Sequence, residues 1–231
     1  MQEPRPEPPR QDDGSACVLE EAGDPYQWVA RIYDWILDPW LRPLHRHVAS
    51  LCRREGASRI IDLCCGTGAQ CRRLYWAGFQ PTGVDLSPAM IREARRKSPA
   101  EIALLEGDAT ATPFATASFD CAVISLALHE KPGPARLALL REAARLVRGR
   151  GVICVSDFLG PPPQSSRLGH MMRTSVERVA GRAHFACYRD YLALGAVPGV
   201  CAELGWSAVL EATFHRRATG VYLLLPEPSD R

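Results

Sequence analysis

RIIDLCCGTGA, residues 59–69, decides how the chain folds. Ile60, Ile61 and Leu63 form an apolar run of the length of a buried strand. The run meets Cys64-Cys65-Gly66-Thr67-Gly68, a tight turn, and then a helix-forming segment. Gly66 and Gly68 lack Cβ atoms where the backbone must bend sharply and come close to a ligand. The helix that follows aims free N–H groups and a partial positive charge back at the turn. A strand, a glycine turn and a helix in that order bind a nucleotide-like or amino-acid ligand. Asp62, at the strand end, narrows the choice, because its carboxylate repels a pyrophosphate and suits a cationic amino group.

Further along, Gln80–Leu86 reads as a second strand, with Asp85 nineteen residues beyond Gly66. An acid at the end of the second strand of a doubly wound sheet accepts hydrogen bonds from ribose hydroxyls, so a nucleoside is expected in the ligand. Ser87 caps the next helix and Pro88 takes its first position. Met90 follows and either packs on an adenine face or belongs to the core. A third strand, Ile102–Glu106, leads to Gly107-Asp108-Ala109. The fourth, Phe119–Leu128, is apolar throughout, as where helices cover both faces, and runs into His129-Glu130. Sheet topology places ligands at the carboxyl end of such a strand. Imidazole titrates near neutrality, so His129 is a candidate to take a proton from an acceptor. A helix at Pro134–Arg148 and a fifth strand at Gly151–Phe158 follow, with Asp157 expected to border the substrate. Residues 160–205 exceed what one crossover needs and are expected to cover the substrate. Helices are expected there at Ser165–Ala180, Tyr188–Leu194 and Val197–Leu204, and His170, His184, Phe185, Tyr188 and Tyr191 are carried on this insert. Ala208–Phe214 and Thr219–Leu225 read as two closing strands.

The run from Asp62 to Gly68, D-L-C-C-G-T-G, resembles motif I of the class I methyltransferases that use S-adenosylmethionine (SAM), with Cys64 where the first glycine usually stands. The resemblance covers Tyr26 to Leu225 and is strongest over the cofactor half. It implies SAM as cofactor, with Asp62 on the methionine amino group, Asp85 on the ribose hydroxyls and Asp108 on the adenine amino group. Cys64, Gly66, Thr67, Gly68, Leu86, Met90, Ala109 and Ser125 complete the implied cofactor set, and Tyr33, of an N-terminal Tyr-Asp pair, closes over it. In that family the end of strand four faces the sulfonium, which puts His129 near the methyl group. LVRGRGVICVSDF, residues 146–158, resembles the family's turn into strand five. Among the subfamilies, the chain looks most like the quinone-biosynthesis (menaquinone and ubiquinone) methyltransferases, so C-methylation of a quinol is the reaction expected. The alternatives are N-methylation of a phospholipid head group or small amine, and SAM binding without catalysis. A nicotinamide dinucleotide fold shares Gly66 and Gly68, but wants Gly or Ala where Cys71 stands and has no particular need of Asp108.

Upstream, residues 1–23 are rich in Pro, Glu, Arg and Asp and read as a disordered tail. Residues 24–54 read as two helices, the first opened by Asp24-Pro25 and ended by Asp38-Pro39, the second running from about Pro43 to Arg54. Trp28, Trp35, Trp40, Tyr26 and Tyr33 crowd this segment. Such density reads either as a helix packed on the sheet edge or as a lid over an apolar acceptor, with Trp35 against it, or a contact with a membrane surface. Residues 55–227 form the methyltransferase domain, expected to be a doubly wound, Rossmann-like α/β fold with a mostly parallel seven-stranded sheet. Hydrophobic residues make up 46% of the chain and its net charge is +2, so no large field steers it to nucleic acid. Nine cysteines without a C-x-x-C pair read as buried thiols of a reducing cytosol. No metal centre is expected. No apolar run approaches the roughly 18 residues that span a bilayer. The expectation is a soluble cytoplasmic protein with a small-molecule or lipid-like acceptor, no nucleic-acid partner and, at most, peripheral membrane contact.

Overall fold

The computed structural model describes residues 30–160 and 182–226. Side chains are described from residue 39 in the first helix and from residue 184 in the helix that starts at Arg182. The N-terminal tail, the helix expected at Ser165–Ala180 with His170, and the side chains of Tyr33 and Trp35 lie outside the described residues.

Seven described strands form one sheet: β1 (Arg59–Leu63), β2 (Gln80–Asp85), β3 (Ala103–Glu106), β4 (Phe119–Ser125), β5 (Val147–Phe158), β6 (Ser207–Phe214) and β7 (Thr219–Leu225). Their order is β3-β2-β1-β4-β5-β7-β6. Strands β1 to β5 pair in parallel, and β7 runs antiparallel to β5 and to β6. The helices are α1 (Ala30–Arg54), α2 (Ala69–Trp76), α3 (Pro88–Lys97), α4 (Gly133–Leu146), α5 (Arg182–Leu194) and α6 (Ala196–Ala202).

The two-residue period of each strand sorts the core into two layers. Ile60, Cys121, Val123, Cys154, Val221 and Leu223 pack with Leu44, Val48 and Leu51 of α1 and Leu74 of α2. Their chain neighbours Ile61, Ala122, Ile124, Ile153, Val155, Tyr222 and Leu224 pack on the other face with α4, α5 and α6. Both faces are therefore covered, which is why the parallel strands read as unbroken apolar runs. All eight described cysteines are free thiols. No described helix is long and apolar enough to cross a membrane.

The chain winds outward from β1 through β2 to β3, then returns to place β4 on the other side of β1. That reversal opens a crevice at the carboxyl ends of β1 and β4, where doubly wound sheets hold ligands. The glycine turn lies on one side of it and the segment after Ser125 on the other.

Four boundaries differ from the sequence reading, among them that of α5, which starts at Arg182 and not at Tyr188. The break expected at Asp38-Pro39 does not occur: α1 is continuous through Pro39 and Pro43. Each interior proline costs about 3 kcal/mol, offset by Leu44, Val48, Leu51 and Cys52, which are buried against the sheet. His215, in the turn between β6 and β7, adds a clamp by stacking on Trp40 at 3.5 Å and donating to its carbonyl at 2.7 Å. Strand β4 stops at Ser125, because Leu126 takes a left-handed φ of 53°, and Leu128–Glu130 forms a single 3₁₀ turn. Strand β5 starts at Val147, not Gly151, and its pairing with β4 shifts register between Phe119 and Cys121.

Gly151 permits that close pairing, since a Cβ there would collide with the Asp120 carbonyl oxygen and with Val147. Gly151→Ala is expected to destabilise the fold by about 1–3 kcal/mol, read as a lower urea midpoint at unchanged slope.

Candidate active site

The glycine turn is built from three left-handed residues, Cys64 (φ 65°), Gly66 (φ 53°) and Gly68 (φ 74°). Cys64 thus adopts the conformation that a glycine would take without strain. Burial pushes its thiol up to about 12, so it stays neutral. Asp85, at the end of β2, holds the turn from the side: one carboxylate oxygen accepts the Gly66 N–H at 2.7 Å and the other accepts the Ser87 N–H at 2.9 Å.

Asp62 lies beneath the turn, almost fully buried. Its Oδ2 accepts from the Cys71 thiol of α2 at 3.3 Å, and its Oδ1 has no hydrogen-bond partner among the described residues. Burial first, and then the charge of Asp85, push its carboxyl up to about 7, against the Cys71 hydrogen bond. An orphaned, buried acceptor of this kind fits a cationic amino group. Asp108 is exposed just beyond β3, where its carboxylate accepts from the N–H and hydroxyl of Thr110, both at 2.8 Å. Asp62, Asp85 and Asp108 therefore line the carboxyl edge across three adjacent strands, a span of two strand spacings or roughly 10 Å. Leu86 is half exposed beside them, whereas Met90 and Ala109 are buried. The Met90 N–H is taken by the Ser87 hydroxyl that caps α3. Ser125 closes the row at the end of β4, its hydroxyl accepting from Ser156 at 3.0 Å.

Across the crevice, His129 sits on the 3₁₀ turn and not on β4 itself. It is buried, and its Nδ1 lies 2.7 Å from Asp157 Oδ1. Asp157 was expected to border the substrate. It is instead fully buried at the end of β5, accepting from the backbone N–H groups of Leu128, His129 and Phe158 as well as from the ring. With the carboxylate as acceptor, Nδ1 carries the proton and Nε2 carries the lone pair. Phe158, His184, Tyr188 and Tyr191 surround the ring at centroid distances of 4.6 to 6.3 Å. Tyr188 and Tyr191 are buried and His184 half-buried, all on α5, so the insert does supply side chains to this site.

Arg136 is a residue the sequence reading missed. It is fully buried on α4, where its guanidinium donates to the Leu128 carbonyl at 3.0 Å, to Asp190 at 2.7 Å and to the Cys187 carbonyl at 2.5 Å. One side chain thereby ties α5 to the 3₁₀ turn. A cation in line with Leu140 and Ala143 on the apolar face of α4 was the available signal, since a charge on a core-facing stripe must be paired.

The sequence and the fold are similar to those of known proteins. Residues 60–151 match a family described as "Methyltransferase domain". The demethylmenaquinone methyltransferase of Beutenbergia cavernae is 36% identical over 159 residues, 66% of this chain and 65% of that protein. The demethylmenaquinone methyltransferase of Thermus thermophilus is 32% identical over 139 residues, 58% of this chain and 61% of that protein. The chain thus spans less than two thirds of the length of these curated relatives. Among solved structures, magnesium protoporphyrin IX methyltransferase from Synechocystis PCC 6803, with bound SAH, shares the fold at a TM-score of 0.57 and 15% identity, over 80% of this chain and 83% of that one. Residues 60–151 thus match a methyltransferase domain, on a fold shared with solved methyltransferases. The cofactor of that domain is S-adenosylmethionine, so the nicotinamide alternative falls.

The raised Asp62 carboxyl gives a signed prediction. A carboxyl whose folded pKa is raised stabilises the fold least when ionised, so its contribution falls as pH rises from about 4 to 7. A cationic ligand reverses that preference. SAM affinity is expected to drop as pH falls below 7, by up to about tenfold per unit. Asp62→Asn should flatten both slopes and weaken SAM at pH 8 without lowering the melting temperature, as calorimetry and thermal denaturation between pH 5 and 8 would show.

Proposed function

We propose that the chain transfers a methyl group from SAM to a small apolar acceptor, a ring carbon of a quinol, and that His129 takes the acceptor's proton. The observation that carries the reading is the Asp157–His129 pair, which presents a lone pair at the carboxyl end of β4 inside an aromatic shell. When bound, SAM supplies a methyl group made electrophilic by its sulfonium, open to in-line displacement. Asp62 holds the amino group of the cofactor, Asp85 its ribose and Asp108 its adenine. Gly66, Thr67 and Gly68 let the backbone come close, with Cys64, Leu86, Met90, Ala109, Ser125 and Tyr33 around them.

His129 Nε2 then accepts a hydroxyl proton of the quinol, which raises electron density at the adjacent ring carbon. That carbon takes the methyl group, with S-adenosylhomocysteine leaving. The quinol rearomatises as the carbon loses its own proton to solvent and the hydroxyl regains its proton from His129. Asp157 keeps the ring in the tautomer and direction that this requires and stabilises the imidazolium that results. Tyr188, Phe158 and His184 exclude water and offer flat apolar surface to an aromatic acceptor. Trp35 is assigned to a lid at the start of α1, whose later turns from Leu41 to Cys52 pack on the sheet instead, and α5 is the part of residues 160–205 assigned to cover the acceptor. Similarity to two demethylmenaquinone methyltransferases supports the quinol over other acceptors.

His129→Ala is expected to lower kcat by roughly 10²–10⁴ and to leave SAM affinity unchanged. A kcat near that of the unaltered protein would end the proton-acceptor role. Turnover of labelled SAM against separate quinol, phospholipid and small-amine pools tests the acceptor. The label should enter the quinol pool, and exclusive labelling of lipid head groups or amines would replace a ring carbon with nitrogen as the target.

A further inference from the structure

We propose that His129, Glu130 and His184 form a binding site for one divalent transition-metal ion of the zinc class. Their ligand atoms all lie within 4.8 Å of one another. His129 Nε2 and Glu130 Oε1 are 3.7 Å apart, against about 3.4 Å for two ligand atoms on a tetrahedral zinc ion at ordinary bond lengths. The His129 and His184 rings stand at 80° with centroids 6.0 Å apart, so a small rotation of the half-buried His184 completes the set.

Four further features favour the ion. Two imidazoles and a carboxylate suit zinc, iron, cobalt or nickel better than magnesium or calcium, which prefer all-oxygen sites. Asp157 accepts from Nδ1 of His129, and a metal-bound imidazole characteristically donates its other nitrogen to a carboxylate, which fixes the tautomer and strengthens the ligand. Glu130 and Asp157 supply two negative charges against the two of the ion; Lys131, the cation on the same loop, faces Cys64 and Asp85 as well as Glu130. The supports are rigid, because Asp157 fixes the turn that carries His129 and Glu130, and Arg136 joins that turn to the helix that carries His184. The sequence reading expected no metal because the third ligand comes from a distant element and the His-Glu pair matches no familiar spacing.

Three protein ligands leave a fourth position open, as at catalytic zinc centres. An ion there occupies the Nε2 lone pair, so occupancy and the proton route proposed above exclude one another. That consequence rests on the proposed function, whereas the site itself rests on the geometry of its ligands.

The test is a Co²⁺ titration of the full chain, free of any affinity tag, followed by the visible absorption of the ion and by its displacement with Zn²⁺. One ion per chain is expected. His184→Ala and Glu130→Gln should each weaken it by at least about tenfold while SAM affinity, measured by calorimetry, stays within about twofold. Absence of a Co²⁺ spectrum, or a spectrum that both variants retain, overturns the site. Methyl transfer followed through the same titration keeps the two readings apart. Stoichiometric, variant-sensitive binding with undiminished turnover supports the site and overturns the His129 proton route.

Discussion

The Asp157 carboxylate has no contact with water and accepts four hydrogen bonds, three from backbone N–H groups and one from the His129 ring. A buried charge without such partners would cost several kcal/mol. Because three of the four donors belong to the 3₁₀ turn, the turn cannot relax without stripping the carboxylate of most of its partners. Its fixed shape sets the direction of the His129 ring and presents the Leu128 carbonyl to Arg136. Arg136 in turn holds α5 through Cys187 and Asp190. The position of the aromatic shell is thus traceable, bond by bond, to one side chain at the end of β5.

The other half of the crevice is organised by a weaker version of the same device. Asp85 holds the glycine turn through Gly66 and the start of α3 through Ser87, and it is only partly buried. Asp62 is the extreme case, with one oxygen unpartnered and its proton affinity raised to match. Three carboxylates of different burial therefore serve different ends. The buried, fully partnered one shapes protein, and the buried, half-partnered one awaits a cation. The partly exposed one does some of both. The winding of the sheet separates these positions, with Asp62 and Asp85 at the ends of β1 and β2 and Asp157 at the end of β5.

Much of this was legible in the chain. The glycine turn, the strand-terminal acids and the apolar alternation depend on local chemistry, and β1, β2, β3, β6 and β7 lie within a residue or two of where the pattern puts them. What failed was whatever depends on distant packing. Asp38-Pro39 carries a sound start signal for a helix, yet α1 runs through it because the sheet and His215 hold the helix in place. The apolar run Phe119–Leu128 hides its own end, since Leu126 leaves the strand by a backbone rotation that no residue preference announces. Asp157 read as a substrate neighbour because its position at a strand end is right. Its burial is set by the turn folded over it. Arg136 and the grouping of His184 with His129 and Glu130 need the crossing of α4 and α5, which no local pattern encodes.

The placement of β7 bears on how the molecule is made. Asp157 and Phe158 pair with Gly220 and Thr219 of this last strand, which lies between β5 and β6. A ribosome delivers β1 to β4, with the glycine turn and the acids at Asp62, Asp85 and Asp108, long before β7 emerges. On the growing chain the ligand-gripping side can assemble early. The outer edge of β5 stays unpaired, an open template for wrong strands, until the C-terminal hairpin arrives. Completion of the reactive side therefore waits for β7, and loss of that strand would leave a chain with its glycine turn intact and the backing of its Asp157 gone.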